Sequence, residues 1–255
     1  MFKVLICIIA GIGAGVGTGF AGMSAAAVIS PMLIAFLDMD PYLAVGIALA
    51  SDVLASAASA VTYGKNKNLD IKNGLIMMAS VLCFTAVGSF VASVVPKTAM
   101  GNFSVIMTLL LGVKFIVKPV VAPKRRLTEA TTAQKAVRSV LCGSAVGFVC
   151  GFVGAGGGMM MLLVLTSVLG YELKTAVGTS VFIMSITALT GSVSHFVIGG
   201  MPDTGALIIC IVSTLAAAQL SAVFANKASP KTLNRITGAI LVALGIAVLV
   251  VNHVS

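Results

Sequence analysis

Between Lys3 and Asp38 the chain carries no charged residue. An apolar stretch that long exceeds one crossing of a ~30 Å hydrocarbon core, for which about 20 helical residues suffice. A second long run occupies 137–169, and ordinary ones fall at about 41–63, 73–95, 99–121, 174–198, 204–225 and 233–251. With 59% hydrophobic and 9% charged residues in 255, too little polar surface exists to cover a soluble core. The fold class is therefore an all-α polytopic membrane protein of the cell membrane.

The net charge of +9 does not gather into one patch. The cations sit in short loops between apolar runs, where they set orientation and meet lipid headgroups, so nucleic acid is not an expected partner. Cys7, Cys83, Cys142, Cys150 and Cys210 all lie in apolar stretches without CxxC spacing. They read as small buried hydrophobes, and neither a metal site nor a disulfide is expected.

Shifted by 132 residues, the chain matches itself. Gly15, Gly19, Phe20 and Gly22 fall on Gly147, Gly151, Phe152 and Gly154; Ala44-Val45-Gly46 falls on Ala176-Val177-Gly178; Tyr63 falls on His195. Two homologous membrane repeats, 1–122 and 136–255, flank a basic cytoplasmic linker at 123–135. The recurrence also argues that the N-terminal run is no cleaved signal peptide, since its copy lies mid-chain.

Each repeat holds one long run and three ordinary ones. Split at its glycines, a long run yields two pieces of about fifteen residues, short for two full crossings. If each long run crossed once, a cytoplasmic linker would leave Lys97, Lys174, Lys227, Lys231 and Arg235 outside. If each enters and returns, Lys65, Lys67, Lys72, the linker cations, Lys174, Lys227, Lys231 and Arg235 all become cytoplasmic, and only Lys3 and Lys97 do not. The second arrangement makes the halves inverted repeats, each with a broken or re-entrant glycine-rich first segment plus three spanning helices.

A break inside lipid leaves unpaired amides, tolerable only where protein or a watery cavity meets them. A half-helix starting there aims its N–H groups and positive dipole end at the cavity, which suits an anion. The densest such stretch is "GFVGAGGGMMM" at 151–161, with a weaker copy, "GMSAA", at 22–26. The candidate substrate-binding set is Gly19, Phe20, Gly22 and Ser24 with Gly151, Gly154, Gly156, Gly157 and Gly158, joined by Thr179 and Ser180. Glycines also permit close helix packing, and "GIGAG" at 11–15 has that small-xxx-small spacing.

The same segments resemble the sulfite exporter TauE/SafE family, also called toluene sulfonate uptake permeases. The second copy shows "GFVGAGGGMMMLLVL", "AVGTS" and "SHFVIGGMPD"; the first shows "GFAGMSAAAVISPMLIAF", "AVGIALASD" and "VTYGKNKNLD". The first copy departs at Ile47-Ala48, where the pattern has Thr-Ser, and the second has Leu163 in place of the proline. The resemblance implies movement of small sulfur-containing anions such as sulfite, sulfonates or thiosulfate across a prokaryotic cytoplasmic membrane.

Asp52 is an acidic residue in the middle of an apolar span, a costly placement that marks function or a polar helix contact. Asp52, Ser56, Ser59 and Tyr63 share a helix face and form a candidate polar cavity or proton-coupling set, with His195 and Gln219 as further members. No GxxxxGK[ST], GxSxG or HExxH occurs, so neither ATP hydrolysis nor an intramembrane enzyme is expected. Nothing calls for a cofactor. The function read is a secondary transporter of small anions, with an anion channel as the alternative. Its expected partners are that small anion and the lipid bilayer; a homodimer stays open.

Overall fold

The computed structural model describes residues 2–92, 113, 116–117, 132–153 and 157–254. The expected span at 99–121, Gly154 and Gly156 lie outside the described residues, as does most of the linker. Among the described residues the elements are α1 (Phe2–Ala21), α2 (Ala26–Leu37), α3 (Pro41–Lys65), α4 (Ile71–Ala92), α5 (Thr132–Val153), α6 (Gly157–Ser167), α7 (Leu173–Gly199), α8 (Thr204–Lys227) and α9 (Pro230–Val254), with no strand. Phe2–Ala21, Leu43–Lys65, Leu173–Val197 and Thr204–Lys227 are each long and apolar enough to cross a membrane.

Both long runs are broken, but unequally. The first divides into 20 and 12 residues and the second into 22 and 11, rather than into halves of about fifteen. The reason lies in which glycines are clamped. Gly11, Gly15 and Gly19 remain helical because α8 packs on their bare face: Cβ atoms there would run into Ser213, the Thr214 carbonyl and Ser221 respectively. The helix stops where Gly22 adopts φ +61°, a left-handed conformation that a side chain would oppose. Val28 then lies beside Gly13, so α2 runs back along α1. Asp38, with φ 49°, closes α2 by donating its amide to the Leu33 carbonyl. In the second half α5 starts at Thr132, ahead of the repeat boundary placed at 136.

The same contacts occur twice with the halves exchanged. Gly11, Gly15 and Gly19 meet successively later residues of α8, so α1 and α8 run parallel. Gly143 and Gly147, their counterparts 132 residues on, pack in the same sense on Met77, Ser80 and Val81 of α4. At the centre α3 and α7 run antiparallel: Gly46 meets His195 and Phe196, while Gly178 meets Tyr63 and the Asn68 carbonyl. Small residues let these backbones approach closely, which is how helices associate when lipid competes for every apolar face. Among the described residues the packed interior falls in two clusters. One surrounds Met23, Tyr63, Met161 and Leu165, and the other surrounds Cys7, Ile29, Leu33 and Ile47.

At one end of the bundle Asp203 caps α8 through the Ala206 amide at 2.8 Å and pairs with Lys3 at 2.5 Å. The Lys3 ammonium, followed by the Ala206 amide, holds the Asp203 carboxyl below its ordinary range. This partner accounts for one of the two cations that the charge pattern left on the acidic side.

Substituting Gly15→Ala or Gly147→Ala should cost about 1–3 kcal/mol through backbone overpacking, because the new methyls meet the Thr214 and Val81 carbonyls. Gly13→Ala, whose methyl would meet only Val28 at 3.4 Å, should be nearly neutral. Thermal unfolding of the three purified variants checks the ordering; equal midpoints for Gly13→Ala and Gly15→Ala would contradict the packing account.

Candidate functional site

The opening of α6 meets the first break. A Cβ on Gly158, the second residue of α6, would lie 2.5 Å from the Ser24 amide nitrogen and 2.9 Å from the Gly22 carbonyl oxygen. The start of α6 therefore sits directly on the α1–α2 turn. That turn is tied down on its other sides. Ser180 Oγ donates to the Gly22 carbonyl at 2.9 Å, and the Thr18 hydroxyl is shared between the carbonyls of Ala14 and Met23, each at 3.0 Å. The Gly22 and Met23 amides turn back to the Thr18 and Gly17 carbonyls. Among the described residues the amides of Ser24 and Ala25 donate to no backbone carbonyl. The Ala26 amide, the first of α2, donates to the buried Ser24 Oγ at 3.3 Å.

This turn is inside the bundle rather than at its rim. Ser180, level with Gly22, is seven residues into α7, about 10 Å along the helix. The opening of α2 and Gly158 of α6 thus lie together within the depth of the protein, at one seam. A helix N-terminal end carries roughly half a positive charge.

The polar stripe on α3 flanks the seam. Asp52 is fully buried, and its Oδ1 accepts from Ser56 Oγ at 2.8 Å. The Ser24 hydroxyl and the Ala25 amide face the carboxyl, while Oδ2 forms no hydrogen bond among the described residues. Ser59 Oγ is likewise buried without a partner there. Tyr63, fully buried, donates its hydroxyl to the Gly19 carbonyl at 2.8 Å and so pins the last turn of α1.

The remaining expected residues fall elsewhere. Gly151 lies in the last turn of α5 and Gly157 opens α6. Phe20 packs against the cluster around Met23, and Gly19 has its bare face filled by α8. Thr179 turns away from the break and accepts from the Asp70 amide at 3.2 Å. His195 packs beside Gly46, and Gln219 accepts from Thr62 Oγ1 at 3.2 Å on the exposed side of α8. The seam accordingly collects Gly22, Ser24, Gly158, Ser180, Asp52 and Ser56, whereas Thr179, His195 and Gln219 serve other contacts.

Two groups escaped the sequence reading. Thr18 clamps the turn, and only its place among glycines could have marked it. The second is a polar latch where the α3–α4 loop meets α7 and α8. Asp70 caps α4 through the Asn73 amide at 3.0 Å, and Asp70 Oδ2 accepts from the Tyr171 hydroxyl at 2.7 Å. Asn68 Nδ2 donates to Asn226 Oδ1 at 2.7 Å, and Lys174 Nζ donates to the Asn226 carbonyl at 2.7 Å. Burial, then the hydrogen bond and charge of Asp70, push the Tyr171 phenol above its ordinary value near 10.

Comparison with known proteins gives a family and several relatives. The family model described as Sulfite exporter TauE/SafE matches residues 7–248. The chain is 26% identical to "Probable membrane transporter protein YunE" of Bacillus subtilis (strain 168), over 94% of this chain and 95% of that protein. It is 24% identical to "Probable membrane transporter protein YdhB" of the same organism, covering 83% and 86% of the two chains. "Probable membrane transporter protein MJ0441" of Methanocaldococcus jannaschii is 25% identical, with 81% and 78% covered.

The latch makes a pH prediction. A phenol whose pKa is raised on folding contributes stability in full below its unfolded value and loses it as pH climbs towards the folded one. Wild-type stability should therefore fall more steeply than that of Tyr171→Phe from about pH 10 upward. Melting midpoints across that range measure the difference; parallel curves would show that Tyr171 titrates as a free phenol.

Proposed function

The chain belongs to the sulfite exporter TauE/SafE family, and on that premise we propose that it is a secondary transporter of small sulfur-bearing anions. The class comprises sulfite, thiosulfate and organosulfonates such as sulfoacetate and taurine. The observation that carries this reading is the contact of Gly158 with Ser24 and Gly22, which brings two half-helix starts to one buried seam. Converging N-termini select a negative guest, because unpaired amides and the positive ends of two dipoles point the same way. An oxyanion offers acceptors on several sides and suits such a seat better than a halide.

The antiparallel α3 and α7, together with the exchanged pairing of α1 on α8 and α5 on α4, support inverted halves around that seat. Rocking of one half against the other would open it alternately to either side of a cell membrane. The driving force is a gradient. At inside-negative potential an anion leaves downhill by about 2.3 kcal/mol per charge per 100 mV, so export needs no coupling while import does. The buried Asp52 beside the seam makes proton-coupled import available. A homodimer is compatible with this scheme but not required by it.

Thermal stabilisation of purified protein by sulfite, thiosulfate, taurine, sulfoacetate and chloride tests the reading. Ligand at 100 times its Kd adds about 2.7 kcal/mol, a shift of roughly 5–10 °C for a chain this size. At least one sulfur anion should exceed chloride, and Gly158→Ala should abolish its shift. Equal or absent shifts across the panel would remove the sulfur-anion assignment, and single-channel current in planar bilayers would replace the transporter by a channel.

A further inference from the structure

Asp52 sits where a substrate anion would be seated. Its carboxyl faces Ser24 and the Ala25 amide, the opening groups of α2, and Gly158 at the start of α6 abuts the same turn. One oxygen is satisfied by Ser56, while Oδ2 is fully buried and makes no hydrogen bond among the described residues. No described cation pairs with it; the ion pair among the described residues is Lys3–Asp203, at the bundle rim. The titratable groups on the helices around α3 are engaged elsewhere. Tyr63 bonds the Gly19 carbonyl, Cys7 and Cys210 contact each other between α1 and α8, and His195 packs beside Gly46.

Charge counting then limits the seat. Two helix N-termini supply roughly one positive unit between them, enough to balance one negative charge. A second negative charge in the same buried space would meet repulsion that little water screens. We propose that Asp52 is a tethered competitor for the anion seat, so that an anion binds only when Asp52 has taken up a proton. The inference rests on the anion-seat reading above and adds a fixed ratio of one proton per bound anion. The proton comes from solvent and adds to the Asp52 carboxylate, which becomes a neutral carboxylic acid as the substrate's charge replaces its own. A monovalent anion then moves with no net charge, and the membrane potential no longer opposes its entry.

The test uses purified full-length protein and ethanesulfonate, whose own sulfonate stays ionised throughout. Calorimetric titrations in buffers of different ionisation enthalpy count the protons taken up. Wild type should take up close to one proton per ethanesulfonate bound at alkaline pH, with affinity weakening about ten-fold per pH unit there. Asp52→Asn should bind with a pH-independent affinity and no proton uptake. Wild-type binding without proton uptake overturns the inference while leaving the anion seat intact, as does binding that follows sodium instead of pH. Absence of ethanesulfonate binding in both proteins at every pH brings down the seat, and this inference with it. The wild-type proton count decides the matter even if Asp52→Asn does not fold.

Discussion

A peptide amide inside hydrocarbon must find an acceptor, and the whole architecture follows from how this chain meets that demand at two interruptions. Each broken run leaves an N-terminal turn that its own helix cannot satisfy. At the first the protein answers by setting Gly158 of α6 on Ser24 and by fastening the turn with Thr18 and Ser180. Close approach of two backbones needs an absent side chain at the contact, which is the physical reason for glycine at 158. The interruptions thus become the centre of the molecule instead of defects in it.

Around that centre, glycine has a second use that sequence alone mixes with the first. Gly11, Gly15 and Gly19, like Gly143 and Gly147, are spaced so that a neighbouring helix lies against bare backbone. Those contacts fasten each first helix to the fourth helix of the other half, so neither repeat is packed on itself alone. The α3–α7 pair then joins the halves through the reciprocal contacts of Gly46 and Gly178.

Periodicity and charge made the helical class and the positions of several apolar helices legible before any coordinates. The unequal division of those runs was not legible, because a glycine's backbone angle depends on what packs against it. Gly19 and Gly22 look alike in sequence; α8 holds one helical and Ser180 sits over the turn at the other. Asp52 and Ser56 were legible as a stripe, since an acid among apolar residues at helical spacing carries its own signal. Adjacent hydroxyls look alike in sequence too: Ser180 reaches the turn, while Thr179 accepts from the Asp70 amide. Asp70, Tyr171, Asn68 and Asn226 were invisible as a group, because three lie in loops that show no period and their meeting with the end of α8 is purely tertiary.

That last network has a consequence for energetics. Its side-chain pairs are not repeated in the opposite half: Asp70 has its like in Asp203, which caps α8 as Asp70 caps α4, but counting 132 residues either way Tyr171 falls on Met39 and Asn68 on Gly200. A device whose halves swap roles would otherwise have two mirror-image states of equal free energy. The Tyr171–Asp70 and Asn68–Asn226 bonds lack mirror-image partners, so under the proposed exchange of roles the resting population would lean to one side before any substrate or gradient acts.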